Sequence, residues 1–245
     1  MELKIISSGS IGNCYILETE TSALLIEAGV KFSEIQTALN FNLLKVDLCI
    51  ISHEHKDHSK SINQVAKAGI PILASSGTFK AEKITSERQD YVIKHGQTIR
   101  VKEWKISAFK IDHDAAEPLG FIIEHPEAGR VLFLTDTYIL RFDLGAFDHV
   151  LIESNYCAEM VEEIAKKKGF DFVNNRRLKS HMSIQTTSET LKRLDLKQCK
   201  NIVLIHLSDG LTNEIEFKKR IEAEHGKPIT VAIKNQTINF NKNPF

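Results

Sequence analysis

The sequence is poor in the residues that mark exported, fibrous or membrane-embedded chains. Cysteine occurs four times in 245 residues, as Cys14, Cys49, Cys157 and Cys199, with no paired short spacing. That scatter gives no support for a zinc knuckle or a disulfide framework and reads as reduced thiols of a cytoplasmic protein. Five prolines and twelve glycines form no linker, repeat or low-complexity tract, so one domain over residues 1–245 is expected. No apolar run approaches the roughly 18 residues of a transmembrane helix. The start, MELKIISSGS, lacks a basic segment followed by a long apolar stretch, so neither a membrane span nor a secretory leader is read. Net charge is missing too: 32 basic and 32 acidic side chains cancel. Nothing draws the whole chain to a polyanion, and any such binding must come from a local patch.

What is present is an ordinary globular composition, 42% hydrophobic and 26% charged, in a chain long enough to bury a substantial core. Apolar runs of strand length recur: LKII (3–6), CYILE (14–18), ALLIEA (23–28), DLCIIS (47–52), PILAS (71–75), KISAFKI (105–111), GFIIEH (120–125), RVLFLT (130–135), HVLIES (149–154) and NIVLIH (201–206). Several are continuously apolar, as expected of strands covered on both faces. Helical patterns fall near 33–41, 59–68, 158–168, 184–194 and 213–225, with Ser183 and Asn213 as N-caps of the last two. ITVAIK and TINF read as closing strands. The mixture predicts a layered α/β architecture.

The stretch CIISHEHKDHSK (49–60) packs His53, His55, Asp57 and His58 into six residues directly after an apolar run. His53 and His55 share parity, so an extended backbone projects both to one side, toward one ion. Asp57 and His58 point together only if the chain turns there into the helix expected from Ser59. The pattern is not the HExxH of a helical zincin, because Asp57 stands four residues after His53. Further candidates close other apolar runs: His113 after KISAFKI, Asp136 after RVLFLT and His206 after NIVLI. Short side chains at several strand ends can be aimed at one spot by a rigid scaffold. Imidazole and carboxylate donors suit zinc or manganese, and iron also fits. His95, His125, His149 and His225 read as turn, strand-start or helix-end residues. His181, in a polar SHMS loop, is a candidate to contact substrate or support the ligands.

These residues, in this order, resemble the metallo-β-lactamase-fold hydrolases. The segments SSGSIGNCYILE, DHDAAEPLGFIIE, SHMS and HLSDGLTNE resemble, more narrowly, the single-domain WalJ/YycJ-like branch. The resemblance implies a four-layer αββα sandwich with two divalent metal ions. His53, His55 and His113 would hold one ion, and Asp57, His58 and His206 the other, with Asp136 bridging. Members of the branch are thought to be nucleases or phosphodiesterases, including DNA exonucleases. In one departure, Glu27-Ala28-Gly29 stands where the fold usually has Asp-x-Gly, so a longer carboxylate supports the site.

Two ions about 3.5–4 Å apart can share a hydroxide and polarise the centre it attacks, so hydrolysis is the expected reaction. Asp57 would orient or deprotonate the hydroxide, and His181 would serve the leaving oxygen. Lys166, Lys167, Lys168, Arg176, Arg177 and Lys179 form a basic stretch able to follow a nucleic-acid backbone. Ser10, Asn13 and Ser183, with Arg176, Arg177 and Lys179, are the candidate substrate contacts. The segment SSGSIGN lacks the lysine of a P-loop. The stretch between Asp136 and His206 is too short for the inserted cap of β-CASP nucleases. The stretch after His206 is too short for the helical domain of glyoxalase II. The reading is a dinuclear phosphodiesterase or nuclease, with DNA as substrate. The alternative is a hydrolase of a small ester, thioester, lactone or cyclic phosphodiester, and the third possibility is a metal-binding accessory protein without turnover.

Overall fold

In the computed structural model, which describes residues 1–84, 90–168, 179–208 and 210–243, two seven-stranded sheets lie face to face. The first has the order β14-β1-β2-β3-β4-β5-β6. Its strands are β1 (Glu2–Ser7), β2 (Cys14–Glu18), β3 (Ala23–Ile26), β4 (Val46–Ile50), β5 (Ile72–Ala74), β6 (Tyr91–Val92) and β14 (Gln236–Asn239). The second has the order β13-β12-β11-β10-β9-β8-β7. It contains β7 (Thr98–Val101), β8 (Trp104–Lys110), β9 (Leu119–His125), β10 (Gly129–Leu134), β11 (His149–Glu153), β12 (Asn201–Ile205) and β13 (Ile229–Val231).

Three apolar layers hold this stack together. Between the sheets, Leu3, Ile5 and Tyr15 meet Trp104, Phe121 and Phe133. Outside the first sheet, Ile16, Leu25 and Ile51 pack beneath α1 (Phe32–Ala38) and α3 (Ile62–Lys67) through Ile35, Ile62 and Val65. Outside the second, Leu132, Ile152 and Leu204 pack beneath α6 (Ile184–Arg193) and α7 (Glu214–His225) through Leu191, Phe217 and Ile221. Both faces of β4, β10, β11 and β12 are therefore covered, which is why these strands are continuously apolar in sequence. Helix, sheet, sheet, helix is the αββα sandwich that the resemblance implied.

Strand direction explains where the chemistry collects. β10, β11 and β12 run parallel, and β8 shares their direction because both β8 and β10 are antiparallel to β9. The C-terminal ends of β8, β10, β11 and β12 thus emerge at one rim.

Most sequence-predicted elements recur; β6 and β7 have no counterpart in the sequence pattern, and there are further differences. The helical turn α2 (Lys56–Ser59) begins at Lys56 rather than Ser59, which puts Asp57 and His58 inside a helix. The helix α4 (Ser76–Glu82) stands in a segment where the sequence pattern shows no helix; the Ser75 hydroxyl caps it by accepting the Thr78 amide. The strand read through residue 28 stops at Ile26, because Glu27 takes a left-handed conformation, φ 62°. Ser183 and Asn213 do cap α6 and α7, each accepting an amide three residues on. The remaining helix α5 spans Ala158–Lys168. Among the described residues no helix is long and apolar enough to cross a membrane, and the four cysteines are buried and free.

Candidate metal centre

Side chains from five chain segments converge at the rim. His53 and His55 sit on the loop after β4, Asp57 and His58 on α2, His113 beyond β8, Asp136 directly after β10 and His206 directly after β12. Asp136 and His206 both adopt left-handed backbone, at φ 49° and 54°. Non-glycine residues rarely do so, and such strain is concentrated at functional sites.

Two sets of donor atoms lie within 4.8 Å of one another, one of His53, His55, His113 and Asp136, the other of Asp57, His58, Asp136 and His206. Asp136 belongs to both. Its Oδ2 is 3.6 Å from His53 Nε2, 3.5 Å from His113 Nε2 and 3.3 Å from His58 Nε2. Asp57 Oδ2 lies 3.2 Å from His58 Nε2 and 3.3 Å from His206 Nε2. The seven residues singled out in the sequence are thus the ones that meet in space.

The residues fit divalent cations on two observations. First, His53 Nε2 is buried without a hydrogen-bond partner, a costly state for a polar atom unless something binds it. His53 Nδ1 bonds the Ser52 hydroxyl at 2.9 Å, so its free Nε2 faces the cluster. Second, the protonation states of the donors suit a cation. Burial pushes the His53 and His113 pKa values down, keeping both neutral with a lone pair to offer. Burial also opposes ionisation of Asp57 and Asp136, yet hydrogen bonds and charge from His206 and His58 hold both carboxyls well below the usual range. In the absence of ions, histidine protons do what a bound cation would do.

A third set, of Asp136, Glu153, His181 and His206, contains a residue that sequence reasoning missed. Glu153 ends β11 and is fully buried. Its Oε1 lies 2.6 Å from His181 Nδ1 and 3.0 Å from His206 Nδ1, and its Oε2 accepts amides from Thr137 and Met182. Burial would raise its pKa, but the charge and hydrogen bond of His181 hold it down. The signal was available, since HVLIES is another apolar run ending in a carboxylate. His181, just before α6, is held against the cluster, its ring 5.2 Å from that of His113 and 5.3 Å from that of His206.

Glu27 supports the loop from below. Its buried carboxylate accepts the Ser52 amide at 3.2 Å and faces His58 Nδ1 at 3.6 Å. Gly29 lets the same loop close: a Cβ there would stand 1.7 Å from the Asp57 carbonyl oxygen.

The candidate substrate contacts divide. Ser10 lines the pocket of about 240 Å³ above the cluster, beside Asp114, Asn155 and His181. Asn13 is buried, bonded to Gly9, to the Asp57 carbonyl and to His58 Nε2, so it braces the ligand loop instead of facing solvent. The Ser183 hydroxyl is engaged in capping α6. Lys179 is exposed. Arg176 and Arg177 lie outside the described residues.

Comparison with known proteins agrees with this geometry. The chain is 29% identical over 222 residues to the exodeoxyribonuclease WalJ of Streptococcus pneumoniae serotype 2, covering 83% of this chain and 80% of that protein. It is 26% identical over 226 residues to the exodeoxyribonuclease YycJ of Bacillus anthracis, covering 85% and 83%. Among solved structures, the metallo-β-lactamase fold protein YhfI from Bacillus subtilis superposes with a TM-score of 0.76 at 16% identity over 97% of this chain and 98% of that one. The model of the Beta-lactamase superfamily domain matches residues 23–207. The chain belongs to the beta-lactamase superfamily, as a WalJ/YycJ-like metal-dependent hydrolase of metallo-β-lactamase fold.

Proposed function

We propose that the protein is an exodeoxyribonuclease of the cytoplasm that cleaves phosphodiesters with two divalent ions, zinc or manganese. The observation that supports this most is the similarity, over more than four-fifths of the chain, to two proteins named exodeoxyribonucleases. His53, His55 and His113 would hold one ion, Asp57, His58 and His206 the other, with Asp136 shared. When bound, such a pair supplies an activated water and neutralises charge on the phosphoryl group.

The chain's own residues have separate tasks in this reading. Asp57, at the pocket wall, is ionised and able to orient the attacking water. His181 Nδ1 is engaged by Glu153, which leaves Nε2 to donate a proton to the departing oxygen. Burial lowers the His181 pKa, but the charges of Glu153 and Asp136 outweigh it and raise the value, so the ring carries the proton that a general acid needs. Ser10, which lines the pocket, and Lys179 would serve as phosphate contacts, with Arg176 and Arg177 extending that basic stretch of sequence.

The test is digestion of end-labelled single- and double-stranded DNA with manganese or zinc present and His55→Ala as control. Metal-dependent shortening from one end, absent in the variant, supports an exonuclease. Intact DNA from protein carrying both ions would transfer the assignment to a hydrolase of small esters or cyclic phosphodiesters.

A further inference from the structure

The donors Asp57, His58 and His206 come from different sheets. Asp57 and His58 sit on α2, which follows β4 of the first sheet, and His206 follows β12 of the second. Their separation is fixed only if something crosses between the sheets at the rim. His206 also needs a restraint of its own, because its backbone is left-handed at φ 54°, a conformation that persists only where the surroundings impose it.

A chain of hydrogen bonds makes the crossing. The His206 amide donates to the Ser8 hydroxyl at 2.9 Å. Ser8 Oγ and Tyr15 Oη are 2.7 Å apart, and the Tyr15 hydroxyl donates to Asn13 Oδ1 at 3.2 Å. The orientation of the Asn13 amide is set by Gly9, whose N–H donates to Oδ1 and whose carbonyl accepts from Nδ2. Oδ1 can only accept, so the single hydroxyl hydrogen of Tyr15 goes to it, and that of Ser8 goes to Tyr15. From Asn13 the chain reaches α2: the backbone amide and Nδ2 both donate to the Asp57 carbonyl, at 2.7 and 3.3 Å. Each hydroxyl takes one hydrogen and gives one, so the chain runs in one direction from His206 to Asp57.

Tyr15 is the middle of the span. Its ring is fully buried between the sheets and lies edge-on to Phe133, with centroids 5.8 Å apart. The apolar core therefore fixes the ring, and the ring carries its hydroxyl to the rim. The other donor set is braced by different groups. His53 Nδ1 bonds the Ser52 hydroxyl, His113 Nδ1 donates to the Ser180 carbonyl, and Asp136 accepts the Thr135 hydroxyl.

We infer that Ser8 and Tyr15 are positioning residues that set the distance of His206 from Asp57 and His58, and so govern the affinity of that metal position alone. The inference rests on the two-ion reading above. Without the Tyr15 oxygen, the Ser8 hydroxyl has no fixed direction in which to hold the His206 amide, while the ligands His53, His55 and His113 keep their own partners.

The test starts from the full-length protein loaded with zinc. Wild type, Tyr15→Phe and Ser8→Ala are stripped with a graded chelator, and ions per chain are counted by native mass spectrometry at each free-zinc level. Tyr15→Phe keeps the ring and removes only the oxygen. Ser8→Ala cuts the same chain from a half-buried loop and decides the matter alone if Tyr15→Phe does not fold. Wild type is expected to carry two ions. In both variants one ion is expected to leave at the wild-type free-zinc level and the other at a level about 10–100-fold higher, the usual effect of losing a group that orients a ligand. A general structural defect would weaken both ions alike, and that result overturns the inference. So does an unchanged second ion in a folded variant. Wild type that never holds more than one ion would instead remove the two-ion reading, and this inference with it.

Discussion

Glu153 Oε1 and His181 Nδ1 are 2.6 Å apart, and the same oxygen lies 3.0 Å from His206 Nδ1. One buried carboxylate thereby fixes a pocket-lining imidazole and a metal-set imidazole in a common frame. Two backbone amides hold the other carboxylate oxygen, so the frame is rigid before any substrate arrives.

From this pairing, His181→Ala is expected to lower kcat on DNA by about 10²–10⁴-fold, the range of a lost general acid, with metal content unchanged by mass spectrometry. Glu153→Gln keeps the shape and removes the charge, so it should lower kcat while leaving KM near its original value. A His181→Ala protein as active as the parent would remove the role assigned to this ring.

Glu27 carries a buried carboxylate whose partners are the Ser52 amide and, at longer range, His58 Nδ1. Glu27→Ala strands both, and stability measured by urea unfolding should drop on the order of 1–3 kcal/mol. Metal affinity should weaken about 10–100-fold, as when a group orienting a ligand is removed. Unchanged metal titration curves would show that His58 needs no such support.

Gly29 faces the carbonyl of Asp57 so closely that a methyl group has no room. Gly29→Ala must push the ligand loop away from β3, and the obstruction is backbone, which cannot rotate aside. The expected result is loss of bound metal with a cooperative but lower thermal transition, since the apolar layers are untouched. Full metal occupancy in Gly29→Ala would contradict the packing described above.

His149 predicts a pH dependence of stability. Its ring stacks on Phe240 at 4.2 Å and accepts the Asn201 side-chain amide, and burial pushes its pKa down to about 4. The unfolded chain, with a histidine pKa of about 6.5, therefore binds more protons between those two values. The contribution is fully present above about pH 6.5 and declines as pH falls toward 4, by up to about 3 kcal/mol. Unfolding midpoints of wild type and His149→Gln compared across that window should converge as pH drops; a constant gap would refute the assignment.

The sequence made much of this readable because strands covered on both faces must be apolar, and polar residues ending such runs stand out. DLCIIS, RVLFLT and NIVLIH each announced a ligand in that way. The turn at Lys56–Ser59 and the helix at Ser76–Glu82 were less legible, since short helices depend on capping and tertiary contact more than on periodicity. Asn13 and Ser183 have the composition of substrate contacts, yet their hydrogen bonds turn inward.

By itself the sequence determined which side chains can ligate metal, and that strands alternate with helices in a layered fold. The periodicity of apolar residues and the chemistry of imidazole and carboxylate are local properties. Only the tertiary structure decided that Asp136 stands between two donor sets and that Glu153 binds both His181 and His206. Those facts depend on strand direction and on distances between residues remote in the chain, which packing fixes and no local pattern encodes.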